Sequence, residues 1–326
     1  MRVLITGSGQ DSSILTFLHK IRQDDVTVYT RRRSDEMSDQ MKLVLSKLKT
    51  MELNNVNFVY GDLTDYQNLF NVVANGKYDI IYHMGAQSFV PPSYENPIST
   101  HMVNELSAYA ILEAVRKHSP ETKVFLALSS EVFGLPRQIP QTLDTPFDPV
   151  SPYAISKTAL AYISEYYRRV WKLKVYDFIT FNHESELRGP EFVTMKIVKN
   201  LVENGKVTLG NVNAMKDWGY APEYMAIIAN TVMHNEPGRY ILCTGELASV
   251  KDFVEYVISK VGGRYYIDPS LFRPIDANRM TCNKYQAPVI PRFTWRDVAD
   301  IMIKFVKEGK TTFDEYLIKL RQEHEI

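Results

Sequence analysis

Short apolar runs alternate with longer amphipathic stretches through the first half of the chain. "RVLIT", "VTVYT", "NFVYG", "DIIYHM", "VFLALS" and "VYDFIT" are rich in β-branched and aromatic residues, and each reads as a strand. Between them, "SILTFLHKIR", "DYQNLFNVVANG", "NELSAYAILEAVRKH" and "YAISKTALAYISEYYRRVW" carry apolar residues at helical spacing. Repeated strand–helix units predict an α/β fold, a doubly wound parallel sheet with right-handed crossovers. Ligands of such sheets sit at the carboxyl ends of the strands. Beyond about Asn182 the alternation breaks: "FVTMKIVKNLVENG" reads as a helix, "KVTLGN" as a strand, "PEYMAIIANTVMHN" as a helix and "GRYILCTG" as a strand. "SVKDFVEYVISKVGG" is again helical, and the end from Thr294 is mostly helix. The pattern predicts a dinucleotide-binding domain over 1–181, with further pieces from about 207–245. A smaller C-terminal substrate-binding lobe is drawn mainly from 182–206 and 246–326.

Composition narrows the class. The 326 residues are 45% hydrophobic, and 38 lysines and arginines balance 38 acids, so the charge gives no ground for nucleic-acid or membrane binding. Cys243 and Cys282 are the two cysteines, which argues against a disulfide framework and against a cysteine zinc site; no metal is expected. No apolar run reaches the roughly 18 residues of a membrane span, and the chain enters a strand at once, so a cytoplasmic protein is expected.

The first chemistry lies in "ITGSGQDSS", between the first strand and its helix. Gly7 and Gly9 suit a tight turn and a close backbone approach to a pyrophosphate, while Ser12 stands where a third glycine would allow close helix packing. The helix start points free N–H groups at an anion. The same run also suits an ordinary strand–turn–helix. The second strand adds weight, because it ends in Thr30-Arg31-Arg32-Arg33 with no acid. Guanidinium groups at that position suit the 2′-phosphate of NADP over the bare ribose of NAD. Together these features make the sheet Rossmann-type.

Tyr153 and Lys157 stand four apart in "SPYAISK", on one face of a helix. An ammonium beside a phenol lowers its pKa and makes it an acid–base near neutrality. The pair opens the helix after "VFLALS", whose tip carries Ser129, Ser130 and Glu131. A hydroxyl, a phenol and a lysine at one strand tip form an acid–base set. The tyrosines at 162, 166 and 167 belong to core or subunit interface.

These motifs resemble the extended short-chain dehydrogenase/reductase superfamily and, within it, the GDP-mannose 4,6-dehydratases. "ITGSGQD", "RRRS", "YGDLTD", "YHMGAQSFV", "SSEVFG", "SPYAISK", "FNHES", "FVTMKI", "LGNVNAMKDWG" and "TGELASV" follow in that family's order over nearly the whole chain. The resemblance implies that Gly7, Gly9, Gln10 and Asp11 surround the pyrophosphate and ribose of NADP, that Arg31 and Arg32 take the 2′-phosphate, and that Asp62 and Leu63 flank adenine. Gly85, Ala86, Gln87 and Ser88 would line the cofactor, with His183 and Arg188 beside it and Lys157 holding the ribose. Tyr153 would accept the sugar 4-hydroxyl proton and Glu131 the C5 proton, with Ser129 assisting. Ser88, Glu131, Asn182, Val193, Lys196, Lys216 and Arg273 would hold a GDP-sugar, in a homodimer or homotetramer. The chain departs from the family pattern in a shorter glycine loop. Glu186-Leu187-Arg188-Gly189 stands for Pro-Arg-Arg-Gly, and Met215-Lys216-Asp217-Trp218 for Lys-Arg-Asp-Trp. The rival expectations are a same-fold epimerase or 4-keto reductase acting on a modified GDP-hexose or heptose, and a non-catalytic NADP-binding regulator.

Overall fold

A computed structural model describes residues 1–31 and 37–323. Seven parallel strands form the central sheet. They are β1 (Arg2–Thr6), β2 (Asp25–Thr30), β3 (Val56–Tyr60), β4 (Ile80–His83), β5 (Lys123–Ala127), β6 (Val175–Thr180) and the strand Arg239–Leu242. From one edge the order is Arg239–Leu242, β6, β5, β4, β1, β2, β3. The winding reverses between β1 and β4, the switch point at which such sheets open a crevice. All six strands read from the first half are present.

Alternation along each strand decides the two faces. Val3 and Ile5 of β1 pack with Val26 and Val28 under α1 (Gln10–Ile21) and the helices Asp39–Thr50 and Ala221–His234. Leu4 points the other way and joins Ile81, Val124 and Leu126 under the helices Tyr66–Gly76, Ser107–His118 and Pro152–Val170. The helix Asp39–Thr50 has no counterpart in the sequence reading. Its inward face is only Met41, Val44 and Leu48, set among lysines, and Ser38 caps it by accepting from the Met41 N–H.

A third core, around Trp218, Phe253 and Trp295, belongs to the lobe. There Lys206–Leu209 pairs with Arg264–Ile267, so this strand extends the lobe and not the main sheet. Two short ladders, Trp218–Tyr220 on Asn182–Glu184 and Met215–Lys216 on Ala248–Ser249, lie beside the sheet's carboxyl edge.

The cysteines require a correction. Cys243 and Cys282 form a disulfide, with Cα atoms 5.8 Å apart. Cys243 follows the edge strand, and Cys282 lies on a stretch that bridges to Gln141. A separation of 39 residues gives no sign of that meeting in the sequence. No helix among the described residues is long and apolar enough to cross a membrane. No group of three or more His, Cys, Asp or Glu among them is placed to hold a metal ion.

Candidate active site

The carboxyl ends of the strands open into a cavity of about 760 Å³. Gly7, Gly9, Gln10, Asp11, Arg31, Asp62, Leu63, Gly85, Ala86, Gln87, Ser88, Ser129, Glu131, Tyr153, Lys157, Asn182, His183, Arg188, Val193, Lys216 and Arg273 all line it. Lys196 is half-buried on the helix Val193–Asn204 and is not part of the lining. Arg32 lies outside the described residues.

The glycine loop is built for close approach. Gly7 has φ +87°, and a Cβ there would stand 3.1 Å from both Gly85 Cα and Ser12 Oγ. Gly9 precedes α1, faces open space, and no side chain caps the helix behind it. Those free N–H groups, with the helix dipole, fit a pyrophosphate. Ser12 adds packing where a third glycine was absent: its hydroxyl donates to Thr6 O at 3.0 Å. Thr6 Oγ1 in turn accepts from Gly85 N–H at 2.9 Å and meets His83 Nδ1 at 2.9 Å, so the two loops are tied together. Burial, helped by the Lys157 charge, pushes His83 down to about 3, and it is neutral at physiological pH.

At the end of β2, Arg31 is 73% exposed and lies 4.0 Å from Asp62. Asp62 is held below the usual carboxylate range, first by the Thr64 N–H and hydroxyl and then by Arg31. The Arg31 guanidinium is thus exposed at the cavity rim, whose lining also includes Ser8, Thr30 and Ser38.

His183 serves the frame. Its Nε2 meets Asp11 at 3.0 Å, its Nδ1 donates to Phe181 O at 2.8 Å, and its ring stacks on Tyr224. Burial alone would lower its pKa, but the Asp11 charge and these hydrogen bonds raise it above the usual imidazole value. Asp11 is lowered in return: its burial is outweighed by the His183 charge and hydrogen bond. Gln10 completes the clamp by donating to His183 O and accepting from Ser185.

The acid–base groups meet at the tip of β5. Ser129 caps the short turn Ser130–Phe133 and thereby places Glu131 at the cavity wall. The helix Pro152–Val170 starts on a Ser151 cap with proline in its first turn, which fixes its first residues against that tip. Tyr153 is buried and hydrogen-bonded to Ser129. Here the structure differs from expectation. Burial pushes Tyr153 up to about 12, and the Ser129 hydrogen bond opposes the rise without reversing it. Lys157 does not lower it, because Nζ donates to Ala127 O at 2.8 Å and lies 5.9 Å from the Tyr153 ring centre. Burial brings Lys157 itself down to about 8.

Asn104 escaped the sequence reading. It sits in a π-helical turn, Met102–Leu106, where the reading has unbroken α-helix. Its Oδ1 accepts from Gln87 N–H, and its Nδ2 donates to Gln87 O and Ser156 Oγ. One amide thus fixes the Gly85–Ser88 loop to the helix of Tyr153 and Lys157. A lone asparagine in an amphipathic run carries no signal of this.

A family model for GDP-mannose 4,6 dehydratase matches residues 4–288. The chain belongs to this family. It is 34% identical over 271 residues to the GDP-mannose 4,6-dehydratase of Vibrio cholerae, a match spanning 80% of this chain and 72% of that protein. It is 36% identical over 261 residues to the GDP-mannose 4,6 dehydratase of Dictyostelium discoideum, spanning 77% and 73%. The crystal structure of DesIV, a dTDP-glucose 4,6-dehydratase of Streptomyces venezuelae solved with NAD, superposes with TM-score 0.81 at 20% identity over 94% of this chain and 98% of that one. That likeness is one of fold.

The departures from the GDP-mannose 4,6-dehydratase pattern have structural work. Glu186 accepts from the Thr312 and Phe313 N–H groups, at the start of the helix Phe313–Gln322, and from the Tyr220 hydroxyl. Leu187, in place of an arginine, is buried in the core beneath α1. Arg188 keeps its position, paired with Glu184 at 2.9 Å and lying 3.5 Å over the Phe192 ring. Asn211 and Asp276, which the sequence reading did not single out, join Lys216 and Arg273 on the lobe side of the cavity.

Proposed function

We propose that the protein is an NADP-dependent nucleotide-sugar 4,6-dehydratase that converts GDP-mannose to GDP-4-keto-6-deoxymannose with loss of water. The observation that carries this reading is Glu131 at the same strand tip as Ser129, Tyr153 and Lys157. Tyrosine and lysine suffice for oxidation at C4, whereas elimination needs a carboxylate near C5. NAD in the DesIV structure supports a nicotinamide dinucleotide here, and the exposed Arg31 supports NADP.

The bound oxidised cofactor would supply a positive ring and a hydride acceptor for C4, and would return that hydride to C6. Tyr153 takes the 4-hydroxyl proton. It is a phenol in the empty site, so the added positive charge is what favours its ionised form. Lys157 positions the ribose. The new 4-ketone acidifies C5, Glu131 removes that proton, and water leaves C6, protonated by Glu131 or Ser129. Neither an epimerase nor a 4-keto reductase has use for the carboxylate, and a pure binder has use for none of the four groups. The test is deuterium at C4 of GDP-mannose. The label is expected at C6 of the product, with solvent hydrogen at C5 and no added reductant. Label returning to C4, or a need for stoichiometric NADPH, would overturn the reading.

Arg31→Ala is expected to weaken NADP by roughly ten- to a hundredfold, since a guanidinium–phosphate hydrogen bond contributes about 1.5–3 kcal/mol. NAD affinity should hardly change. Titration of both cofactors checks this, and an equal fall for both would remove Arg31 from the 2′-phosphate site.

We also infer a homodimer as the basic assembly. Ile155, Tyr162, Tyr166 and Val170 form an exposed stripe on the helix Pro152–Val170, and Met102, Leu106 and Tyr109 extend it on the neighbouring helical run. Tyr109 and Tyr167 join the two helices edge to face. Contiguous exposed apolar surface of this kind marks an interaction face.

A further inference from the structure

Lys216 and Glu131 come from opposite sides of the cavity, 85 residues apart in sequence, and Lys216 Nζ donates to Glu131 Oε1 at 3.0 Å. Their side chains are only 11% and 12% exposed. Of the other cavity cations after residue 182, Arg188 is paired with Glu184 at 2.9 Å and Arg273 with Asp276 at 3.6 Å, and Asn211 donates to the Asp276 carboxylate. Glu131 therefore has the lobe lysine as its ion-pair partner.

The backbone that carries Lys216 is fixed. Lys216 pairs with Ala248 and bridges to Met280. The next residue, Asp217, accepts from the Thr244 N–H and hydroxyl, the Gly245 N–H and the Thr281 hydroxyl. What remains free to move is the four-carbon stem of the lysine, a flexible carrier of a point charge.

We propose that Lys216 has two mutually exclusive partners, Glu131 in the empty site and the diphosphate of the nucleotide-sugar in the loaded one. The proposal rests on the reading of a GDP-sugar substrate. Breaking a buried ion pair without replacement is strongly unfavourable. A diphosphate supplies two negative charges and several acceptor oxygens, so the lysine leaves one anion only for a stronger one. The carboxylate oxygen it vacates then faces the sugar. Nucleotide binding and release of the C5 base thus become one event, and binding energy from the non-reacting end of the substrate is used at the reacting end. Lys216 thus binds the substrate itself and influences the proton transfer through Glu131.

The test is a double-mutant cycle on the affinity for GDP, measured by calorimetric titration of the NADP-loaded protein. Glu131→Gln removes the competitor for Lys216, and GDP is expected to bind roughly three- to tenfold more tightly. In a Lys216→Gln background the same change should alter GDP affinity by less than about twofold. Tightening of equal size in both backgrounds would show simple repulsion between carboxylate and phosphate and overturn the proposal. So would the absence of tightening in the single variant. Glu131→Ala deletes the same charge should the amide not fold. Failure of the wild-type protein to bind GDP at all would instead overturn the substrate reading, and this proposal with it.

Discussion

A Tyr153→Phe enzyme is expected to lose turnover of GDP-mannose by about 10²–10⁴-fold, the usual worth of a positioned acid–base group. Every later step falls by the same factor, because oxidation at C4 comes first. The hydroxyl removed is buried, bonded to Ser129 and held protonated in the empty site, with its pKa up at about 12. Burial is the dominant cause of that rise, and because phenylalanine differs from tyrosine only by the hydroxyl, its ring should fill the same space and the fold should be retained. NADP titration separates a chemical from a binding defect, since affinity should stay within about threefold when one neutral hydrogen bond is lost. Turnover within tenfold of wild type would take the proton-accepting role away from Tyr153.

Glu131→Gln is expected to divide the reaction. Oxidation at C4 needs Tyr153 and Lys157 and should persist, whereas elimination needs a carboxylate and should fall by about 10²–10⁴-fold. With GDP-mannose and NADP the absorbance of reduced cofactor should therefore build up, and 4-keto-6-deoxy product should form only at that reduced rate. In heavy water, C5 of the recovered sugar should stay unlabelled. Near-normal turnover would move the C5 base elsewhere. The same variant has a second expected effect, tighter GDP, and the two are separable because titration needs no chemistry.

Much of this was legible in the sequence because it is local. β1 to β6 announce themselves by apolar runs, and the set Ser129, Glu131, Tyr153 and Lys157 lies at one strand tip and the helix after it. What the sequence did not show depends on distant partners. Lys157 turns to Ala127 O and not to Tyr153, because a backbone carbonyl at the end of β5 is within its reach. His183 lines the cavity, and its tie to Asp11, 172 residues away, is what the sequence does not show. Cys243 and Cys282 meet only when the edge strand and the 282 stretch are brought together. Glu186 reads as a lost proline, and its purpose appears only with the start of the last helix.

The placement of the proton-handling groups on one continuous stretch, Ser129 to Lys157, has a consequence for how such an enzyme diversifies. The side chains proposed to hold the nucleotide-sugar come largely from another stretch, Asn182 to Arg273, part of which packs in a separate core around Trp218. Substitutions there, Lys216 apart, are expected to change which hexose is grasped more than what is done to it. Leu187 and Met215 lie in this stretch but not in the cavity lining, and they leave the strand tip undisturbed. Reaction and taste are inherited separately, and a chimera that takes its lobe from a relative should keep the first while acquiring the second, provided a cation still stands at position 216.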